Sequence, residues 1–300
     1  MAIAKLRSGP RVDRRAAARR EAEDLYLQGR FYWNTRTPEG LTQSVDYFTK
    51  ATQRDPTYAL GYAGLADSYN LLREYTSMPG SRAFPLALAA ARKAVELDES
   101  LPEAHRALAF VYFNWNWDIP GAEREYRRAI ELRPADAQAH HWYATMLMEL
   151  ARYDESIEEI ERARQLDPSS KSIAADRGLI LFHSGQLDSA FSILQAIENT
   201  EPGFTSPHSY LAWMYFDTKQ YAKFLTESKI LAKLSGSGAA AVKLNEERFE
   251  KGGEAALLES LLNQQLDDFR NGRGEAFDVA VSYAKLGRKK ESLEYLERAY

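Results

Sequence analysis

The sequence has no cysteine among its 300 residues. Disulfides, thiolate nucleophiles, Cys-ligated zinc and iron–sulfur clusters are excluded together. No apolar run approaches the roughly 18 residues that a membrane-spanning helix needs. Neither sign of charge dominates. The 39 Lys and Arg against 43 Asp and Glu leave a formal charge of −4, so nothing global selects a polyanion partner. The first residues, MAIAKLRSGPRVDRRAAARREAED, are basic but lack the apolar stretch of a secretory signal. The chain therefore reads as soluble, unexported and cytoplasmic, or as the soluble region of a membrane-anchored parent. What is present, 45% apolar and 27% charged residues, suits a chain that builds a packed core.

The informative feature is a period. Pro134, Pro168 and Pro202 lie 34 residues apart, each closing a helical segment. The stretches between them read as pairs of amphipathic helices, with apolar residues at three- and four-residue spacing and a short polar turn. Aligning the chain on this period brings small residues into columns. The first column holds Gly29, Ala66, Ala109, Ala144, Gly178 and Ala212. A second holds Ser44, Ala87, Ala122, Ser156 and Ala190, then widens to Phe224. A third holds Ala51, Ala94, Ala129 and Ala163, then widens to Ile197 and Leu231. Small side chains at these places let two antiparallel helices approach closely while larger neighbours fill the gap.

Period, helix–turn–helix build and columns together resemble the tetratricopeptide repeat family. The resemblance implies an all-α fold, a right-handed α-solenoid of antiparallel helix pairs. Residues 1–21 form a basic N-terminal arm. The repeat units follow at 22–58, 59–101, 102–136, 137–170, 171–204 and, more loosely, 205–238. Residues 239–271 are a degenerate helix pair, and 272–300 are a repeat-like unit that lacks a capping helix. That end is expected to fray or to be covered by another chain, self-association included. Pro38, Pro85 and Pro120 are expected just inside second helices, the inserts NTRTPEG, EYTSMPGSRA and NWNWD are expected loops, and Gly185 and Gly287 are expected to make the tight turns within units. The runs beginning GRFYWNTRTPEG and HRALAFVYFNWNWD are similar to one bacterial subgroup, the C-terminal repeat regions of multidomain signalling proteins. Their partner domains (winged-helix, kinase, cyclase, TolB-like) do not occur here.

Catalytic and metal chemistry find little support in the pattern. His105 and His140 occupy the same place in consecutive units, yet no HExxH or His-x3-His spacing occurs, so they read as packing residues. Glu155, Glu158, Glu159 and Glu161 alternate with Arg162 and Arg164 on a solvated helix face. The stretches GSGAAAVK and GRGEAF lack the features of a phosphate loop, and Ser237 lacks a nucleophile-elbow context. The arm carries Lys5, Arg7, Arg11, Arg14, Arg15, Arg19 and Arg20 without interleaved aromatics, which disfavours a nucleic-acid partner and suits a linker. No enzyme activity, metal or cofactor is expected.

What the resemblance implies is protein binding. Its grooves are lined by first helices, whose inward places here hold Tyr26, Arg30, Trp33, Asn34, Asp67, Asn70, Arg106, Phe110, Phe113, Asn114, His141, Thr145, Met148, Phe182, His183, Trp213 and Phe216. The Lys/Asn clamp with which some relatives hold a C-terminal carboxylate is missing: Ala63 and Asp67, Arg106 and Phe110, and His141 and Thr145 stand in its places. An aromatic lining suits apolar anchors of a peptide or helix. The expectation is a non-catalytic interaction scaffold in bacterial signalling or regulation. The alternative is a sensory arm that binds a small effector inside the superhelix and regulates an attached domain.

Overall fold

The structure, a computed structural model, describes residues 9–76, 78–272 and 274–299. Among these residues there are fifteen α-helices and no strand. They are α1 (Gly9–Asn34), α2 (Pro38–Arg54), α3 (Ala59–Tyr75), α4 (Gly80–Leu97), α5 (Pro102–Asn114), α6 (Ile119–Leu132), α7 (Ala137–Glu149), α8 (Tyr153–Leu166), α9 (Lys171–His183), α10 (Leu187–Thr200), α11 (Thr205–Asp217), α12 (Tyr221–Ser235), α13 (Ala239–Arg270), α14 (Ala276–Lys285) and α15 (Lys289–Ala299). The chain divides into two compact units, Met1–Ile173 and Ala174–Tyr300. Each is an all-α stack of helix hairpins of the solenoid kind.

The small-residue columns sit where the two helices of a hairpin meet. Ala66, Ala109, Ala144, Ala122, Ala163 and Ala190 are all fully buried. Close approach is literal at Gly29 and Gly64: a Cβ on either would lie 2.5–2.6 Å from the Phe48 ring. In the fourth hairpin Ser156 Oγ donates to the Ala144 carbonyl at 2.7 Å. The bond from Ser292 Oγ to the Ala280 carbonyl at 2.9 Å repeats it between α14 and α15. The C-terminal pair therefore interlocks as the central ones do.

Helix ends follow from local chemistry. Thr37 Oγ1 caps α2 by accepting from Gly40 N, Asp118 caps α6, and Asp136 caps α7 by accepting from Gln138 N and Ala139 N. Six of the turns inside the hairpins share one device, a left-handed residue that lets the chain reverse with its last carbonyls satisfied. Gly185 and Gly287 fill that role as the sequence indicates, and Arg36, Trp117, Ala151 and Lys219 adopt the same conformation without being glycine.

Two expectations need correction. Residues 9–21 are the first turns of α1 rather than a separate arm. Arg19 is tied down there by Asp55 at 2.6 Å and lies over the Tyr58 ring. Lys5 and Arg7 lie outside the described residues. The insert EYTSMPGSRA is largely absorbed by helix: α3 runs on to Tyr75 and α4 already begins at Gly80. Pro85 consequently sits inside α4, not at its first turn. The degenerate pair at 239–271 is two helical segments within α13, separated by a break at Gly253 with φ of 62° and ψ of −151°.

Candidate functional site

Unit 1 brings the inward residues of α1, α3, α5 and α7 together and then fills the space between them. Trp33 and Trp142 meet edge to face at 6.2 Å, and Phe110 packs on Trp142 at 4.9 Å. Arg36 folds over the Trp33 ring, 3.7 Å from its centroid, and donates to Gln138 Oε1 at 3.3 Å. Burial pushes its guanidinium down to about 10, so it stays charged at neutral pH. Arg30 stacks on Trp33 as well and lies 3.5 Å from Asp67.

At the centre is Arg106. Its side chain is buried between two carboxylates, with Asp67 at 2.5 Å and Asp136 at 2.9 Å. Burial alone would lower the Arg106 pKa, but the charges of Asp67, Asp136 and Glu103 hold it above its ordinary value. Asp136 is likewise held below the usual carboxylate range: burial works against it, and Arg106 and the α7 backbone N–H groups outweigh that. Trp33 Nε1, Asp67 Oδ1, Asn70 Oδ1, Glu103 Oε2 and Arg106 Nε are buried without a hydrogen-bond partner among the described residues.

This settles where most sequence-selected residues lie. Trp33, Asp67, Asn70, Arg106, Phe110, Phe113 and His141 are buried, and Tyr26, Arg30, Asn114, Thr145 and Met148 are half-buried. Asn34 is exposed. Phe110 and Phe113 are each only 7% exposed, so as they stand they are core and not open anchors. Trp142 and Arg36, which do the filling, were absent from the sequence selection. Neither belongs to an inward column: the Trp142 side chain reaches from α7 to meet Trp33 of α1, and Arg36, in the turn after α1, folds over Trp33.

Unit 2 treats its inward aromatics differently. Trp213 on α11 stays 43% exposed. It is stacked on His183 at 5.1 Å and braced edge-on by Phe182 at 5.2 Å. One turn along, half-buried Phe216 packs against Phe224 and carries Lys285 over its face at 5.0 Å. Burial lowers the His183 imidazole, which suits a neutral ring under an indole.

A second constellation recurs between the helices of single hairpins. His105 Nδ1 lies 2.6 Å from Glu125 Oε2 and its Nε2 lies 2.8 Å from the Glu99 carbonyl. His140 repeats this with Glu159 at 2.5 Å and the Pro134 carbonyl at 3.1 Å. His208 does so with Glu227 at 2.8 Å and the Pro202 carbonyl at 3.2 Å. All three rings have acceptors at both nitrogens, and for His105 and His140 this favours the imidazolium. The repeat pattern reads His105 and His140 as packing residues and does not single out His208. They are buried, but their partners are carboxylates, and the available signal was a glutamate 19 or 20 residues after each histidine.

For two of them a pH dependence follows. The bond to Glu125 raises His105, outweighing burial and the nearby Arg128. Burial opposes protonation of His140, but Glu159 and the Pro134 carbonyl raise it, with Arg162 in opposition. A histidine raised on folding contributes stability fully present below its unfolded value of about 6.5 and lost as pH rises through the folded value. The thermal midpoint of unit 1 should therefore fall as pH is raised above that value. Scanning calorimetry across this range on wild type and on a His105→Gln, His140→Gln double variant tests the idea. An equal slope in both proteins would assign the dependence elsewhere.

Comparison with known proteins gives these features a context. Residues 118–171 and 144–203 match the family model of the tetratricopeptide repeat. The type IV pilus assembly protein PilF of Pseudomonas aeruginosa is 34% identical over 91 residues. Those residues are 30% of this chain and 36% of that protein, so the match spans about a third of the relative's length. Among solved structures, the human IFIT1 dimer with m7Gppp-AAAA superposes with a TM-score of 0.60 at 18% identity, covering 87% of this chain and 67% of the other. The type IV pilus biogenesis factor PilW gives 0.54 at 19%, covering 71% and 94%. Yeast Tom70 gives 0.54 at 16%, covering 93% and 60%. At these identities the superpositions speak to fold alone.

Proposed function

Because the chain belongs to the tetratricopeptide repeat family, we propose that it is a non-catalytic scaffold that binds a protein partner through the inward aromatic face of unit 2. The partner presents a peptide or amphipathic helix with an apolar anchor, in a bacterial regulatory or assembly setting. The observation that carries the reading is Trp213. A large indole left 43% exposed, yet held rigid by His183 and Phe182, is a ready surface for desolvating a partner side chain. Phe216 one turn away offers a second contact, and Lys285 over it offers a cation at the rim. Unit 1, whose equivalent rings are consumed by its own core, serves as a rigid body. The relation to PilF, itself a pilus assembly protein, is in keeping with a scaffold role.

The test starts from peptides selected by display against the whole chain. Trp213→Ala should weaken the best of them by about 2 kcal/mol or more, roughly 30-fold, with helical content unchanged by circular dichroism. Undiminished binding to the variant would remove the unit 2 face from consideration.

A further inference from the structure

The third histidine site differs from its two sisters, and the difference is one residue. Counting back ten places from each histidine gives Val95 before His105, Ile130 before His140 and Glu198 before His208. All three lie three residues ahead of the C-cap of the preceding helix, so they are structurally equivalent: Asp98, Arg133 and Glu201 close α4, α6 and α10. Where two sites present an apolar side chain, the third presents a carboxylate. Glu198 Oε1 lies 3.6 Å from His208 Nδ1, on which Glu227 Oε2 also converges at 2.8 Å. One nitrogen and two oxygens from three helices lie within 4.8 Å of one another.

We propose that Glu198, His208 and Glu227 form a binding site for a divalent transition cation, with Zn2+ the best-suited species. The donor chemistry fits: imidazole nitrogen and carboxylate oxygen are both ordinary zinc ligands. So does the spacing. Ligands about 2.0–2.1 Å from a tetrahedral zinc lie roughly 3.4 Å from one another, which the present separations approach with small side-chain adjustments. Glu198 with 23% of its side chain exposed leaves an entry path and room for a water as fourth ligand.

The tautomer is already set. Nε2 is spent on the Pro202 carbonyl at 3.2 Å, so a neutral His208 keeps its proton there and turns the Nδ1 lone pair toward the two carboxylates. Metal-ligating histidines are fixed in just this way by a carbonyl on the far nitrogen. Charge balance favours exchange. With an imidazolium, the two carboxylates leave one buried negative charge uncompensated. A divalent cation that displaces the Nδ1 proton to solvent brings the group to neutrality.

The sister sites supply the control. Glu198→Val restores the residue found at the first site and leaves the His208–Glu227 pair intact, so the fold should be kept. The whole chain, free of affinity tag and stripped with EDTA, would be titrated with ZnCl2 by calorimetry and with Co2+ by visible absorption. The expected result is one equivalent per chain, a higher thermal midpoint, and tetrahedral Co2+ bands. Glu198→Val should weaken binding at least about tenfold and lose the Co2+ spectrum while keeping the apo midpoint near that of wild type. Absence of stoichiometric binding by the wild type, or equal binding by the two proteins, would overturn the site.

Discussion

Replacing Arg106 by alanine should destabilise unit 1 by about 3–5 kcal/mol, the scale for removing one partner of a buried ion pair. The guanidinium bridges Asp67 of α3 and Asp136, the N-cap of α7, and its departure leaves both carboxylates in an interior from which water is largely excluded. Arg30 at 3.5 Å is a poor substitute for Asp67 because it is already placed over Trp33. Arg106→Lys should recover only part of the loss, since one ammonium cannot span two carboxylates as a planar fork does. Urea unfolding of wild type and both variants reads the difference directly. A loss below about 1 kcal/mol for the alanine variant would mean that the two aspartates find other partners or water.

The same cluster shows how far the sequence could be read. The fold was legible because the hairpin interlock depends on residue size alone, and Ala109, Ala144 and Ala163 announce it at fixed spacing. Helix limits were less legible where an insert intervened: α4 tolerates Pro85 in its interior, so a proline taken as a start signal misplaced the boundary. The candidate groove was legible only as a direction. An inward place in a repeat says which way Phe110 points, not whether space remains in front of it. That depends on what fills the gap between α1 and α7, which the long side chains of Trp33, Trp142 and Arg36 settle among themselves across more than a hundred residues of chain. The histidine sites fell between these cases. Their spacing was visible, but the glutamate partners lay on an adjacent helix whose register the sequence pattern alone did not supply.

Phe110 and Trp213, which the pattern treats as equivalents, should therefore part company when truncated. Phe110→Ala should cost about 3–5 kcal/mol, the range for removing a buried ring and leaving a cavity. Its neighbour Trp142 is pinned against Trp33 and cannot collapse into the gap. Trp213→Ala should cost about 1 kcal/mol or less in stability, because much of the indole never left water and His183 can settle into part of the space. Binding should order the two the other way. Under conditions where both variants are folded, Trp213→Ala should lose affinity for a selected peptide and Phe110→Ala should retain it. Denaturant midpoints and peptide titrations on the same two proteins give four numbers, and the crossing pattern is the diagnostic. If Trp213→Ala unfolded as readily as Phe110→Ala while binding normally, the unit 2 ring would be core as well, and the partner would have to dock on another surface.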